Sequence, residues 1–140
     1  MNTTPTQDAP GPGPVPEPAP STRDPLSHAV LGAAFEVAKV LGPGFLEAVY
    51  RRAMVRELER RGIAVRHEVR YVIRYKGDEV GEYIADLLIE DLLIVELKCV
   101  EAFTNAHVAQ TLNYLAAAKL TTGLLLNFGR RHVEYKRLIL

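Results

Sequence analysis

Residues Leu92 to Val100 read LLIVELKCV, a run that is apolar on both faces except at Glu96 and Lys98. A strand with one face in water alternates apolar and polar side chains, whereas a strand covered on both sides reads as a nearly continuous apolar run. This segment therefore predicts a central strand with packing layers above and below the sheet. That arrangement belongs to an α/β fold, and two charged side chains inside such a strand need a chemical reason.

The rest of the chain supplies the covering layers. Eight of the nine prolines fall in the first 25 residues, around APGPGPVPEPAP, where missing N–H groups and low hydrophobicity prevent a packed core. Residues 1–23 are expected to be a disordered, partly polyproline-II tail, and residues 24–140 a single domain. Asp24-Pro25 is a helix start, with an N-cap carboxylate and proline at the first helical position. Leu26, Val30, Ala33, Ala34, Val37 and Val40 then recur at helical spacing until Leu41-Gly42-Pro43-Gly44. A second helix spans Phe45 to Arg61, with Leu46, Val49, Ala53, Met54 and Leu58 inward and Gly62 as its C-terminal cap.

Beyond Gly62 the period becomes two. Ile63, Val65, Val69, Tyr71, Ile73 and Tyr75 predict a long strand, with a bend or bulge between Val65 and Val69. Lys76-Gly77-Asp78 provides a turn, Glu82 to Ile89 a second strand, Glu90-Asp91 a tight turn and Leu92 to Val100 the third. Thr104 to Lys119 returns to helical spacing and leads into the apolar strand Leu124 to Phe128, a helix crossing to a parallel strand. Val133 to Leu140 closes the chain as a short extra strand.

The chemistry concentrates on the second and third strands. Glu96 and Lys98 lie two residues apart and project on one side of the sheet. Asp86 sits within the apolar YIADLLI, and a tight turn at 90–91 brings it within cross-strand reach of Glu96. Two carboxylates close together in an apolar setting call for a cation, and a divalent ion with oxygen ligands, Mg²⁺ or Mn²⁺, answers that need. A partly buried salt bridge from Lys98 to either acid, fixing strand register, is the alternative.

Other classes of function are constrained by composition. Lysine plus arginine equal aspartate plus glutamate at 17 each, so the chain lacks the basic excess of many nucleic-acid binders. Arg52, Arg56 and Arg60 recur every four residues on the second helix, a ladder that suits either a phosphate backbone or solvated salt bridges. The chain has no tryptophan for base stacking. One cysteine, Cys99, excludes an internal disulfide and argues against thiolate metal sites. No run approaches the roughly 20 apolar residues of a membrane span, and the first residues lack signal-peptide order, so a cytoplasmic location without membrane association is expected.

Asp86, followed after a short turn by Glu96-Leu97-Lys98 and then by a helix bearing Gln110, resembles the PD-(D/E)xK nuclease core. Gly44-Phe45-Leu46-Glu47-Ala48-Val49-Tyr50 is similar to the G-x-x-E-x-x-Y signature of the small bacterial GxxExxY proteins of that superfamily. The likeness runs from about Leu26 to Leu140, and departs from the older motif in having Ala85 where a proline precedes the aspartate. It implies an α-β-β-β-α-β core with a mixed central sheet, to which the last strand is an addition. It further implies Asp86, Glu96 and Glu47 as metal ligands, the Leu97 carbonyl as a further oxygen, Lys98 orienting or deprotonating the attacking water, and Gln110 near substrate or a metal-bound water. The function so implied is Mg²⁺- or Mn²⁺-dependent hydrolysis of DNA or RNA. A non-catalytic module of the same fold, binding nucleic acid or assembling as a homo-oligomer, is the competing expectation. His107 and Tyr114 share the face of Gln110, the first read as a surface or capping residue and the second as a core aromatic with its hydroxyl at the rim.

Overall fold

The computed structural model describes residues 24–140; the proline-rich segment 1–23 lies outside the described residues. Elements follow in the order α1 (Pro25–Leu41), α2 (Glu47–Arg60), β1 (Val65–Tyr75), β2 (Asp78–Ile89), β3 (Leu93–Lys98), α3 (Asn105–Ala118), β4 (Thr122–Asn127) and β5 (Glu134–Ile139). The five strands form one mixed sheet in the order β1-β2-β3-β4-β5. Neighbours are antiparallel except β3 and β4, which run parallel across α3. This is the expected core with its added strand.

Local signals explain the boundaries. Asp24 caps α1 by accepting from the Ser27 N–H at 3.2 Å, with Pro25 opening the helix. Gly62 follows the end of α2 with φ 75, a left-handed conformation that glycine enters without a Cβ penalty. Lys76 and Gly77 both have positive φ and form a two-residue turn, so β2 begins at Asp78 rather than at Glu82. Glu90 and Asp91 repeat this conformation in the next turn. Thr104 and His107 exchange backbone and side-chain bonds at the start of α3, so His107 is a capping residue.

β3 lies at the centre, as its composition requires. Leu93, Val95 and Leu97 pack with α1 and α2, while Ile94 packs with Leu115 on the α3 side. Leu97 is wholly buried, and each such leucine contributes about 1.5–3 kcal/mol by leaving water.

The β1–β2 hairpin changes layer part-way along. Val65 packs with the α1/α2 cluster, yet Val69 and Tyr71, which share its parity, pack with the α3 cluster. On β2 the same switch separates Leu87 and Ile89 from Tyr83 and Ala85. Both switches flank Glu68, which has φ 54 and drops out of the ladder opposite Asp86. The bend expected between Val65 and Val69 is therefore present, but the pairing stays in step through it; the register shift falls at Ile73/Arg74.

Candidate active site

β2 and β3 pair through only three positions, Leu87↔Val95, Leu88↔Ile94 and Ile89↔Leu93. One step further, where the twisted hairpin pulls away, two acid side chains replace the main-chain ladder. The Asp86 N–H donates to Glu96 Oε2 at 2.8 Å, and the Leu97 N–H donates to Asp86 Oδ2 at 2.8 Å. Each carboxylate thus satisfies a backbone donor of the opposite strand. The acid pair is fixed by the same bonds that close the gap.

Holding both acids there is electrostatically unfavourable. Glu96 is 4 % exposed, and burial, then the Asp86 charge, push its carboxyl up to about 8. Burial also raises Asp86, although the Leu97 N–H, Arg51 and Lys98 oppose the shift. Glu47 is raised by burial and by Asp86, with Lys98 and Arg51 countering. Three acids with elevated proton affinity in one neighbourhood mark a site short of positive charge.

Lys98 Nζ donates to Gln110 Oε1 at 3.3 Å, so the strand and helix residues singled out in the sequence do meet. Tyr114, bonded to Gln110 and raised by burial and by the charges of Glu96 and Asp86, stands at the same rim. Its ring stacks on Tyr83, and Tyr83 on Tyr71, with the Tyr83 hydroxyl buried and unpartnered.

Glu47 arrives from the opposite layer on a purpose-built turn. Gly44 takes φ 107, Glu47 begins α2, and Tyr50 reaches back so that its hydroxyl donates to the Gly42 carbonyl at 2.6 Å and accepts from the Phe45 N–H at 3.3 Å. The Tyr50 ring is buried and stacks on Phe128 at 4.8 Å. The glycine and tyrosine of the sequence pattern are therefore structural, and they set where the glutamate stands.

Arg51 also reaches this site, although no sequence motif marks it. One helical turn after Glu47, it lies 3.7 Å from Asp86 Oδ1 and 3.7 Å from Glu68 Oε2, with its side chain 18 % exposed. The i, i+4 spacing from Glu47 was visible, but the carboxylates it meets depend on the left-handed kink at Glu68.

Among the described residues, no group of three or more His, Cys, Asp or Glu side chains is gathered closely enough to hold a metal. Glu47 acts on the pair through its charge and does not complete a cage. The donor set is nevertheless suited to a small hard cation: it is all oxygen, Asp86 and Glu96 each commit one oxygen to a main-chain N–H, and their repulsion is what a divalent charge relieves. Mg²⁺ in particular is held by one or two carboxylates with water filling the remaining positions.

The family model of the PD-(D/E)XK nuclease superfamily matches residues 24–138. No curated protein matches. Among solved structures, one titled "Crystal structure of SSO0001" superposes with a TM-score of 0.52 at 16% identity, covering 84% of this chain and 54% of that one. This chain thus spans about half the length of that structure, which supports the fold. PD-(D/E)XK nucleases generally use divalent metals and act on nucleic acid. With nearly the whole described domain inside the match, the chain belongs to the PD-(D/E)XK nuclease superfamily.

Proposed function

We propose that this protein hydrolyses phosphodiester bonds in DNA or RNA, using a Mg²⁺ or Mn²⁺ ion held by Asp86 and Glu96. The observation that carries this reading is the buried acid pair: two carboxylates locked by opposite-strand N–H groups, with the proton affinity of Glu96 raised to about 8. Such an ion supplies polarisation of the phosphoryl oxygen and a lowered pKa for bound water. Lys98, tethered by Gln110, orients or deprotonates the attacking water. Glu47 adds negative charge that strengthens cation binding, and Tyr50 keeps it in place.

Purified protein with Mg²⁺ or Mn²⁺ is expected to cut single- or double-stranded DNA or RNA, and Glu96→Gln and Lys98→Ala to lose at least ~100-fold in rate, the usual scale for a positioned acid–base or electrostatic group. Equal activity in all three proteins overturns the catalytic assignment. A second reading, a non-catalytic nucleic-acid-binding module, is favoured by Arg51, which offers Asp86 a positive partner without any metal. Absence of cleavage together with Mn²⁺ binding unchanged in Asp86→Ala, measured by calorimetry, selects that second reading.

A further inference from the structure

Beside the acid pair, between α2 and β1, lies a cleft of about 450 Å³ lined by Arg51, Arg52, Arg56, His67, Glu59 and Glu68. Its charges are unevenly committed. Arg51 is held between Glu68 and Asp86 at 3.7 Å each. Arg56 touches Glu59 only at 4.0 Å, with side chains 80% and 55% exposed, a contact worth little in water. Arg52 is exposed and makes no ion pair among the described residues. Arg52 and Arg56 thus present available guanidinium groups to the cleft, and Arg51 connects its inner end to Asp86.

We propose that this cleft binds the phosphodiester backbone of the nucleic acid beside the bond to be cut. The inference rests on the nuclease reading and adds the direction from which the strand arrives. Residues 52 and 56 are one helical turn apart, about 6 Å along α2, so two successive anionic groups of an extended strand have a guanidinium each. A guanidinium matches a phosphate bidentately and remains charged throughout the working pH range. The left-handed kink at Glu68 sets the other wall and places its carboxylate on Arg51, which limits its repulsion of an anionic strand. The lining holds no phenylalanine, tyrosine or tryptophan, and its one ring is the His67 imidazole, so contacts there are assigned mainly to backbone rather than to bases. Arg60, the third member of the ladder, is not part of the lining, so the guanidinium track ends at Arg56.

The test is binding in EDTA, where hydrolysis is suppressed, of fluorescein-labelled single-stranded DNA, duplex DNA and RNA, followed by anisotropy across a salt series. Each phosphate contact contributes about 0.7 to the slope of log K against log salt for single strands and about 0.9 for duplex. Arg52→Ala and Arg56→Ala should each reduce the slope by about that amount and the double variant by about twice it. Arg52→Lys should retain most of the slope, and Lys136→Ala on β5, at the opposite edge of the sheet, should leave it unchanged. The strand type with the largest loss identifies the form the cleft accepts. Unchanged slopes in both arginine variants, or a loss as large in Lys136→Ala, overturn the cleft while metal-dependent cleavage by the wild type leaves the nuclease reading standing. Wild-type protein that shows no salt-dependent binding to any of the three overturns the cleft outright, and the cleavage assay then judges the nuclease reading separately.

Discussion

At the scale of single residues, Glu96 is the group under most electrostatic stress. Its Oε2 is needed to receive the Asp86 N–H, but its charge is opposed by burial and by the neighbouring acid. Glu96→Gln keeps a carbonyl oxygen for that bond and removes the charge. In EDTA at pH 8 the variant is expected to be about 1–2 kcal/mol more stable than wild type by urea unfolding, since replacing buried charge by neutral groups of similar shape is often stabilising. The same variant should lose Mn²⁺ binding in calorimetry. A less stable variant that still binds Mn²⁺ contradicts the account. Glu96, Lys98 and Asp86 were legible in the sequence because strand parity and a short turn suffice to bring them together. Arg51 was not, since its role depends on a backbone kink at Glu68 that no side-chain pattern announces.

Among the elements, β3 and its connections are legible in the sequence, because an apolar run followed by helical periodicity leaves few alternatives. The ends were less legible. β2 starts four residues earlier than expected, since the cross-strand ion pairs Arg70–Glu79 and Arg70–Glu82 let a charged, exposed hairpin continue outward without apolar alternation. Beyond Lys98, the chain is held by the wholly buried Asn127 at the end of β4. Asn127 Oδ1 accepts from the N–H groups of Val100 and Gly129 at 3.0 and 2.9 Å, and its Nδ2 donates to the Val100 carbonyl at 2.8 Å and to Glu134 at 3.1 Å. In the sequence this asparagine is one polar residue ending LLLN, with nothing to reveal four hydrogen bonds to three residues. Asn127→Ala leaves buried donors and acceptors unpaired, so chemical denaturation should show a loss of about 2–3 kcal/mol. A loss below ~0.5 kcal/mol would mean that the clamp is not what holds the exit of β3.

For the whole molecule, two sets of acids far apart in the chain impose opposite dependences on pH. Asp24 joins the start of α1 to β5: its Oδ2 accepts from Arg137 Nε at 2.8 Å, and it is bonded to the backbone and hydroxyl of Ser27. Burial raises its pKa, but the bonds from Ser27 and Arg137 outweigh that and leave it below its ordinary 3.8. In the unfolded chain this group takes up its proton first, so its contribution is full above pH 4 and is lost as pH falls further. Glu96 behaves in the reverse sense. Its carboxyl holds a proton to about pH 8 in the fold but only to about 4.5 when unfolded, so between those values the native state binds the extra proton and stability falls as pH rises. Metal-free protein is therefore expected to have its highest melting temperature near pH 4–5, declining toward pH 8. Metal binding requires the ionised acids and releases their protons, so saturating Mn²⁺ should raise the melting temperature progressively more from pH 6 to pH 8. Differential scanning calorimetry in EDTA and in Mn²⁺ checks both limbs, with Glu96→Gln expected to flatten the alkaline limb and leave the acid one intact. An alkaline limb undiminished in Glu96→Gln would place the titration on another group, Asp86 and Glu47 included, and overturn its assignment to Glu96.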